Sequence, residues 1–233
     1  MTNRSRQELS QQQTEGSRHL EGPLIRIFVV DDHEIVRRGL KSVLNQESDF
    51  AVVGEAGNAA GLFEQLTHAC CDIVLLDISL PDRSGLDILG DLRTRYPAMK
   101  VIMFSAHPEE HYALRSLQAG ASGYVNKQAS RAELVGAIRK VNNGGHWASE
   151  PLLDVLVRHM KNLPGTMLHE HLSNREYEIF CQLAAGKAVS LIASDLSLSV
   201  NTIATYKSRI FRKLNVKSNT ELTRYALDHH LIE

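Results

Sequence analysis

From Leu24 onward, short and nearly uninterrupted apolar runs alternate with amphipathic stretches. The runs are IRIFVV (25–30), FAVVGEA (50–56), DIVLLD (72–77), KVIMFS (100–105) and SGYVNK (122–127). Five strands are predicted. Between them, residues 34–45, 59–68, 86–95 and 109–119 are each long enough for a helix. Strands apolar on both faces and separated by helices predict a parallel sheet in a doubly wound α/β domain, with strand order 2-1-3-4-5. A further helix opens with the capping box Ser130-Arg131-Ala132-Glu133, carries Leu134, Ile138 and Val141 on one face, and stops at Asn143-Gly144-Gly145.

Beyond these glycines the strand pattern disappears. Residues 145–166 read as a linker with a short helical piece over 152–159, and Trp147 is expected to anchor the linker to the first domain by burial. Helices are then predicted over 174–185, 189–196, 200–214 and 219–229, with capping boxes at Ser173-Asn174-Arg175-Glu176 and Ser218-Asn219-Thr220-Glu221. Residues 1–23 are polar and Gln-rich, too poor in apolar groups to offset the entropy of ordering. The predicted organisation is therefore a disordered tail (1–23), an α/β domain (24–144), a linker (145–166) and an all-helical domain of four helices (167–233).

Composition narrows the setting. Three cysteines, Cys70, Cys71 and Cys181, two of them adjacent, do not make a disulfide framework and read as buried thiols in a reducing compartment. No apolar run approaches the roughly 20 residues that span a bilayer, so no membrane partner and a cytoplasmic location are expected. His169-Glu170-His171 lacks the spacing of a helical zinc site and falls at the edge of the linker, which argues against a metal there.

The strand ends carry the chemistry. Asp31 and Asp32 follow the first strand and Asp77 ends the third; in this strand order those two are neighbours, and the crevice at their carboxyl ends is where ligands bind. Three carboxylates there require a cation, and an all-oxygen site with open water positions suits Mg²⁺. Ser105 and Lys127 end the fourth and fifth strands. A hydroxyl and an ammonium facing a metal-bound carboxylate make a receptacle for a phosphoryl group.

The segments VVDDHEIVRRGL, DIVLLDISLPDRSGLDIL, FSAH and AGASGYVNKQASRAELVGAIRKVNNGG resemble the receiver domain of two-component response regulators across 25–144. The resemblance implies that Asp77 is the phosphoacceptor and that Asp31, Asp32, Asp77 and the backbone carbonyl of Ser79 hold Mg²⁺. It further implies that Ser105 binds the phosphoryl oxygens, that Lys127 pairs with them, and that Ser105 and Tyr124 form the switch. Ser79 and His107 stand two residues past the acceptor and hydroxyl positions, where this family tunes dephosphorylation.

In the helical part, Lys207, Arg209, Arg212, Lys213 and Lys217 fall within eleven positions, and no acidic residue lies between Asp195 and Glu221. A chain of net charge -1 thus carries a basic helix. A 100° step that buries Ile203, Ile210 and Leu214 turns Thr205, Ser208, Arg209 and Arg212 outward, as a helix reading the major groove requires. LSNREYEIFCQLAAGK and LIASDLSLSVNTIATYKSRIFRKLNVKSNTEL resemble the helix-turn-helix domain of NarL/FixJ (LuxR-type) regulators. By that resemblance 189–196 is the supporting helix and the recognition helix begins near Val200. Lys207, Arg212 and Lys213 are assigned mainly to phosphates, and Thr205, Ser208 and Arg209 to base edges. Ala204, Tyr206, Asn219 and the Ala188-Val189-Ser190-Leu191 start depart from the family pattern. A small domain makes few contacts, so paired half-sites and a homodimer formed on phosphorylation are expected. The helix over 219–229, with Leu222, Tyr225 and Ala226 on one side, serves either as a dimer face or to close the core.

The whole implies a transcription factor controlled by a sensor histidine kinase and bound to double-stranded promoter DNA, not an enzyme beyond slow loss of its own phosphoryl group. A phosphate hydrolase would leave the basic helix without a purpose. The departures at Ala204 and Val189 motivate the alternative of a receiver-gated regulator that binds protein with weak or no affinity for DNA.

Overall fold

The computed structural model describes residues 24–107, 109–149, 152–153, 167–229 and 231–232. The expected tail over 1–23 and most of the helical piece expected over 152–159 lie outside the described residues. The first domain runs β1 (Ile25–Val30), α1 (Glu34–Leu44), β2 (Phe50–Ala56), α2 (Ala59–Leu66), β3 (Ile73–Leu76), α3 (Gly85–Arg95), β4 (Lys100–Ser105), α4 (Glu109–Gln118), β5 (Gly123–Asn126) and α5 (Arg131–Asn142). All strands pair in parallel in the order β2-β1-β3-β4-β5.

Alternation along β1 splits the core into two layers. Ile25, Ile27 and Val29 face one side with Leu40 and Leu44 of α1 and Leu134, Ile138 and Val141 of α5. Phe28 and Val30 face the other with Leu62 of α2, Leu89 of α3 and Tyr112 of α4. The β1–β2 register slips between Ile27 and Phe28, where the Phe28 ring occupies the space a side chain on Gly54 would need. α5 carries the expected capping box at Ser130 and Glu133. Its exit is closed by Gly144 at φ +84°, a conformation glycine adopts without strain.

Trp147 is half-buried, and it anchors the chain through more than burial. It pairs alongside Gly123 at the edge of β5, donating its backbone N–H to the Ser122 carbonyl at 3.0 Å.

The second domain comprises a 3₁₀ turn (Leu168–His171), α6 (Asn174–Ala184), α7 (Val189–Asp195), α8 (Val200–Leu214) and α9 (Asn219–Asp228). The Ser173 capping box is present. At Ser218 the structure corrects the expectation: Ser218 Oγ accepts from Glu221 N, but Glu221 turns to the backbone N–H of Lys217 instead of closing the box. Ala188 offers α7 no side-chain cap, as its departure from the family pattern predicts. Of the cysteines, Cys181 is buried, Cys71 is partly buried and Cys70 is exposed, so the expectation of buried thiols fails at Cys70. Among the described residues no helix is long and apolar enough to cross a membrane.

Candidate functional site

The lateral pairing of β1 with β3, Val30 opposite Leu76, sets the next residue of each strand side by side at one edge of the sheet. Those residues are Asp31 and Asp77, 1% and 3% exposed. Lys127, one residue past β5, is drawn into the same place because its backbone N–H bonds the Ser105 carbonyl at 2.8 Å. Its ammonium stands 2.6 Å from Asp31 Oδ2 and 2.8 Å from Asp77 Oδ2. The other oxygens accept backbone donors, Asp31 Oδ1 from His33 N at 2.9 Å and Asp77 Oδ1 from Ile78 N at 2.7 Å.

Burial lifts the Asp77 pKa to about 6 against the pull of Lys127, with the Asp31 charge adding to the rise. Lys127, which burial alone would lower, is raised by Asp77 and Asp31. Asp32, half-buried, pairs with His33 Nδ1 at 2.6 Å. Ligand atoms of Asp31, Asp32 and His33 lie within 4.8 Å of one another, the one such group among the described residues; His169, Glu170 and His171 form none. Three carboxylates against one ammonium leave negative charge in excess on hard oxygen donors, a set that fits a divalent cation such as Mg²⁺.

The helix after Asp77 is folded tightly onto it. Gly85 N bonds the Ile78 carbonyl at 2.7 Å, and Ser79 bridges to Ser84. Ser105, fully buried at the end of β4, accepts from His107 N at 3.3 Å, and the Tyr124 hydroxyl donates to the His107 carbonyl at 2.9 Å. Asp31, Asp77, Ser105 and Lys127 therefore occupy one end of the sheet, as their positions at strand ends predict, and the Tyr124 hydroxyl reaches toward it from within β5.

On the second domain, Ile203, Ile210 and Leu214 of α8 are buried while Thr205, Ser208, Arg209 and Arg212 are exposed. Ser199 caps the helix by accepting from Thr202 N at 3.0 Å. The Thr205 and Ser208 hydroxyls donate to the carbonyls of Asn201 and Ala204, which leaves their lone pairs outward. Lys207 lies over the Phe211 ring at 5.3 Å. Lys213 is exposed as well, and its ammonium pairs with buried Glu176 and bonds the His171 carbonyl, tying α8 to α6. In α9, Leu222 and Ala226 are fully buried and close the core, while Tyr225 bonds His169 Nδ1 at 3.1 Å.

Sequence reasoning missed a further set. Arg175, Glu176, Tyr177, Glu178, Ile179, Phe180 and Cys181 of α6 are all buried, so charged and apolar positions alike are covered. One face packs on the helical core and the other meets the first domain. Glu178 Oε1 accepts from Ser79 Oγ at 2.6 Å, and Arg115 of α4 lies over the Tyr177 ring at 3.9 Å. The available signal was the run Arg175-Glu176-Tyr177-Glu178, in which charge falls on every side of a helix whose capping box already marked it as ordered.

Comparison with known proteins agrees with the two-part geometry. Residues 27–139 match the response regulator receiver domain, and residues 170–226 match the bacterial regulatory proteins of the luxR family. The chain is 33% identical to response regulator UvrY of Escherichia coli strain K12 over 209 residues, 89% of this chain and 96% of that protein. It is 33% identical to response regulator GacA of Pseudomonas viridiflava over 211 residues, 90% of this chain and 99% of that one. A two-component response regulator of the LuxR family from Aurantimonas sp. SI85-9A1 superimposes with a TM-score of 0.56 at 32% identity, over 60% of this chain and all but 1% of that one (99% covered). RcsB of Salmonella enterica serovar Typhimurium, bound to promoter rprA with the phosphomimetic BeF3-, shares the fold at a TM-score of 0.60 and 24% identity, over 86% and 98% of the two chains.

Proposed function

Because the chain belongs to the response regulators that join a receiver to a LuxR-type DNA-binding domain, we propose that Asp77 accepts a phosphoryl group from a sensor histidine kinase and so controls a cytoplasmic transcription factor. The protein is a DNA-binding transcription regulator. Residues 24–144 form the receiver and 167–233 the DNA-binding unit, separated by a linker over 145–166.

The observation that carries the reading is the Lys127 ammonium set between Asp31 and Asp77 at 2.6 and 2.8 Å. An Asp77 oxygen attacks the phosphorus of a phosphohistidine; the O–P bond forms as the N–P bond breaks, and the leaving imidazole takes a proton from solvent. Lys127 then pairs with the new phosphoryl oxygens, and Ser105, at the neighbouring strand end, turns its hydroxyl onto them. Asp31, Asp32, Asp77 and the Ser79 carbonyl would hold Mg²⁺, which when bound offsets the charge gathering on those oxygens. Slow loss of the same phosphoryl group is the one turnover this reading assigns to the site.

Exposed Arg212 and half-buried Lys207 of α8 support DNA contact to phosphates, and exposed Thr205, Ser208 and Arg209 support contact to base edges. A homodimer on paired half-sites, formed on phosphorylation, supplies the area that one domain lacks. The test is labelling by acetyl phosphate with Mg²⁺ present: the wild-type chain takes up one phosphoryl group and Asp77→Asn takes up none. Retained labelling in Asp77→Asn refutes the acceptor assignment.

A further inference from the structure

Glu178 belongs to the DNA-binding domain, yet its carboxylate lies among receiver side chains and is fully buried. Oε1 accepts the Ser79 hydroxyl at 2.6 Å, and Oε2 accepts from Arg175 Nη1 at 2.8 Å. Arg175 in turn donates to the Leu196 carbonyl at 3.2 Å, so the carboxylate is fixed from its own domain. The Ser79 oxygen also meets His107 Nε2 at 2.9 Å. Since the one Ser79 proton goes to the carboxylate, the His107 ring nitrogen is the donor to Ser79.

His107 is tied equally to the switch. Its N–H bonds Ser105 Oγ and its carbonyl accepts the Tyr124 hydroxyl. An unbroken hydrogen-bonded chain thus runs from Ser105 and Tyr124 through His107 and Ser79 to Glu178. A Ser105 hydroxyl turned onto a phosphoryl group no longer accepts from His107 N. The ring then loses its register with Ser79, and a buried carboxylate tolerates the loss of a donor poorly. Arg115 marks the same contact from the flank, donating to the carbonyls of His169 at 2.6 Å and Leu172 at 3.1 Å.

We infer that Glu178 is a positioning residue delivered across the domain interface, which locks Ser79 and His107 beside Asp77 so that docking of α6 and phosphorylation of Asp77 exclude one another. The inference rests on Asp77 being the acceptor. The lock acts on receiver chemistry and leaves the DNA face uncovered, because Thr205, Ser208, Arg209 and Arg212 are exposed in the docked form. Coupling is reciprocal: the factor by which docking disfavours the phosphorylated state is the factor by which phosphorylation loosens docking.

The test uses the full chain, with phosphoramidate and Mg²⁺ as the probe, following the labelling rate together with hydrogen exchange of the α6 amides. Glu178→Ala and Arg115→Ala are each expected to label about fivefold faster or more and to lose protection in α6. Glu178→Gln keeps an acceptor for Ser79 and falls between wild type and Glu178→Ala. In the wild-type chain, labelling itself lowers α6 protection. Equal rates and equal protection in all forms overturn the lock while leaving the acceptor assignment standing. Faster labelling of Glu178→Ala with α6 still protected overturns it also. Absence of labelling in every form, or labelling retained in Asp77→Asn, strikes instead at the acceptor. Should Glu178→Ala lose protection throughout the sheet, Arg115→Ala decides alone, since Arg115 touches nothing in the acidic cluster.

Discussion

A β-carbon on Gly85 would sit 2.0 Å from the carbonyl oxygen of Asp77, so the first turn of α3 is folded directly against the residue proposed to accept the phosphoryl group. The obstacle is backbone, which cannot rotate aside as a side chain can. Gly85→Ala must therefore push α3 away from the acceptor loop, at a cost of about 3 kcal/mol. The urea midpoint should fall accordingly, and labelling by a small phosphodonor should fall with it, because the Ile78 and Ser79 backbone moves. An unchanged midpoint would show that α3 does not approach Asp77 this closely.

Lys127 is the cation between two buried carboxylates, and its removal leaves both uncompensated. Lys127→Met should cost about 3 kcal/mol at neutral pH without Mg²⁺, and Mg²⁺ should restore much of the loss by taking over the neutralising role. Phosphoryl uptake should stay low even with Mg²⁺, since the pairing group for the transferred oxygens is gone. Denaturation with and without the ion, beside a labelling assay, separates the two effects. A variant as stable as wild type without Mg²⁺ would contradict the placement of Lys127.

The receiver half of this arrangement was legible in the sequence because each functional residue follows an apolar run. A buried parallel strand ends where the first polar group appears, which places Asp31, Asp77, Ser105 and Lys127 at one sheet edge without further information. The domain interface was not legible. Ser79 and Glu178 are 99 positions apart, and no periodicity encodes which faces of two separately folded units meet. The partners of Lys213 were not legible for a related reason: helical phase says nothing of the His171 carbonyl and the Glu176 carboxylate that engage its long flexible side chain.

His169 offers a pH test. Burial, then the neighbouring His229 and Arg115, lower its pKa from 6.5 to about 4. The unfolded chain therefore binds the additional proton between these values, and stability rises with pH across the window. The contribution of neutral His169 is fully present above about pH 6.5 and is lost as the pH falls toward 4. His169→Gln removes this titration, so the loss of urea midpoint between pH 7 and pH 5 should be smaller in the variant than in wild type. Equal losses would mean that the ring titrates alike in the folded and the unfolded chain.

Arg212 and Lys213 are adjacent in the basic helix and differ in what they touch. Both are exposed, but the Lys213 ammonium pairs with Glu176, which is only 4% exposed. Arg212→Ala should weaken DNA binding across all sequences and reduce the slope of log affinity against log salt by about 1, as loss of one phosphate contact does. Lys213→Ala should leave that slope unchanged. Its cost should appear in folding instead, on the order of 1–3 kcal/mol for a buried acceptor left short of a donor. Gel shifts across a salt series, paired with urea denaturation of the same variants, read both quantities. A reduced slope in Lys213→Ala with unaltered stability would return Lys213 to the phosphates and break the tie between α8 and α6.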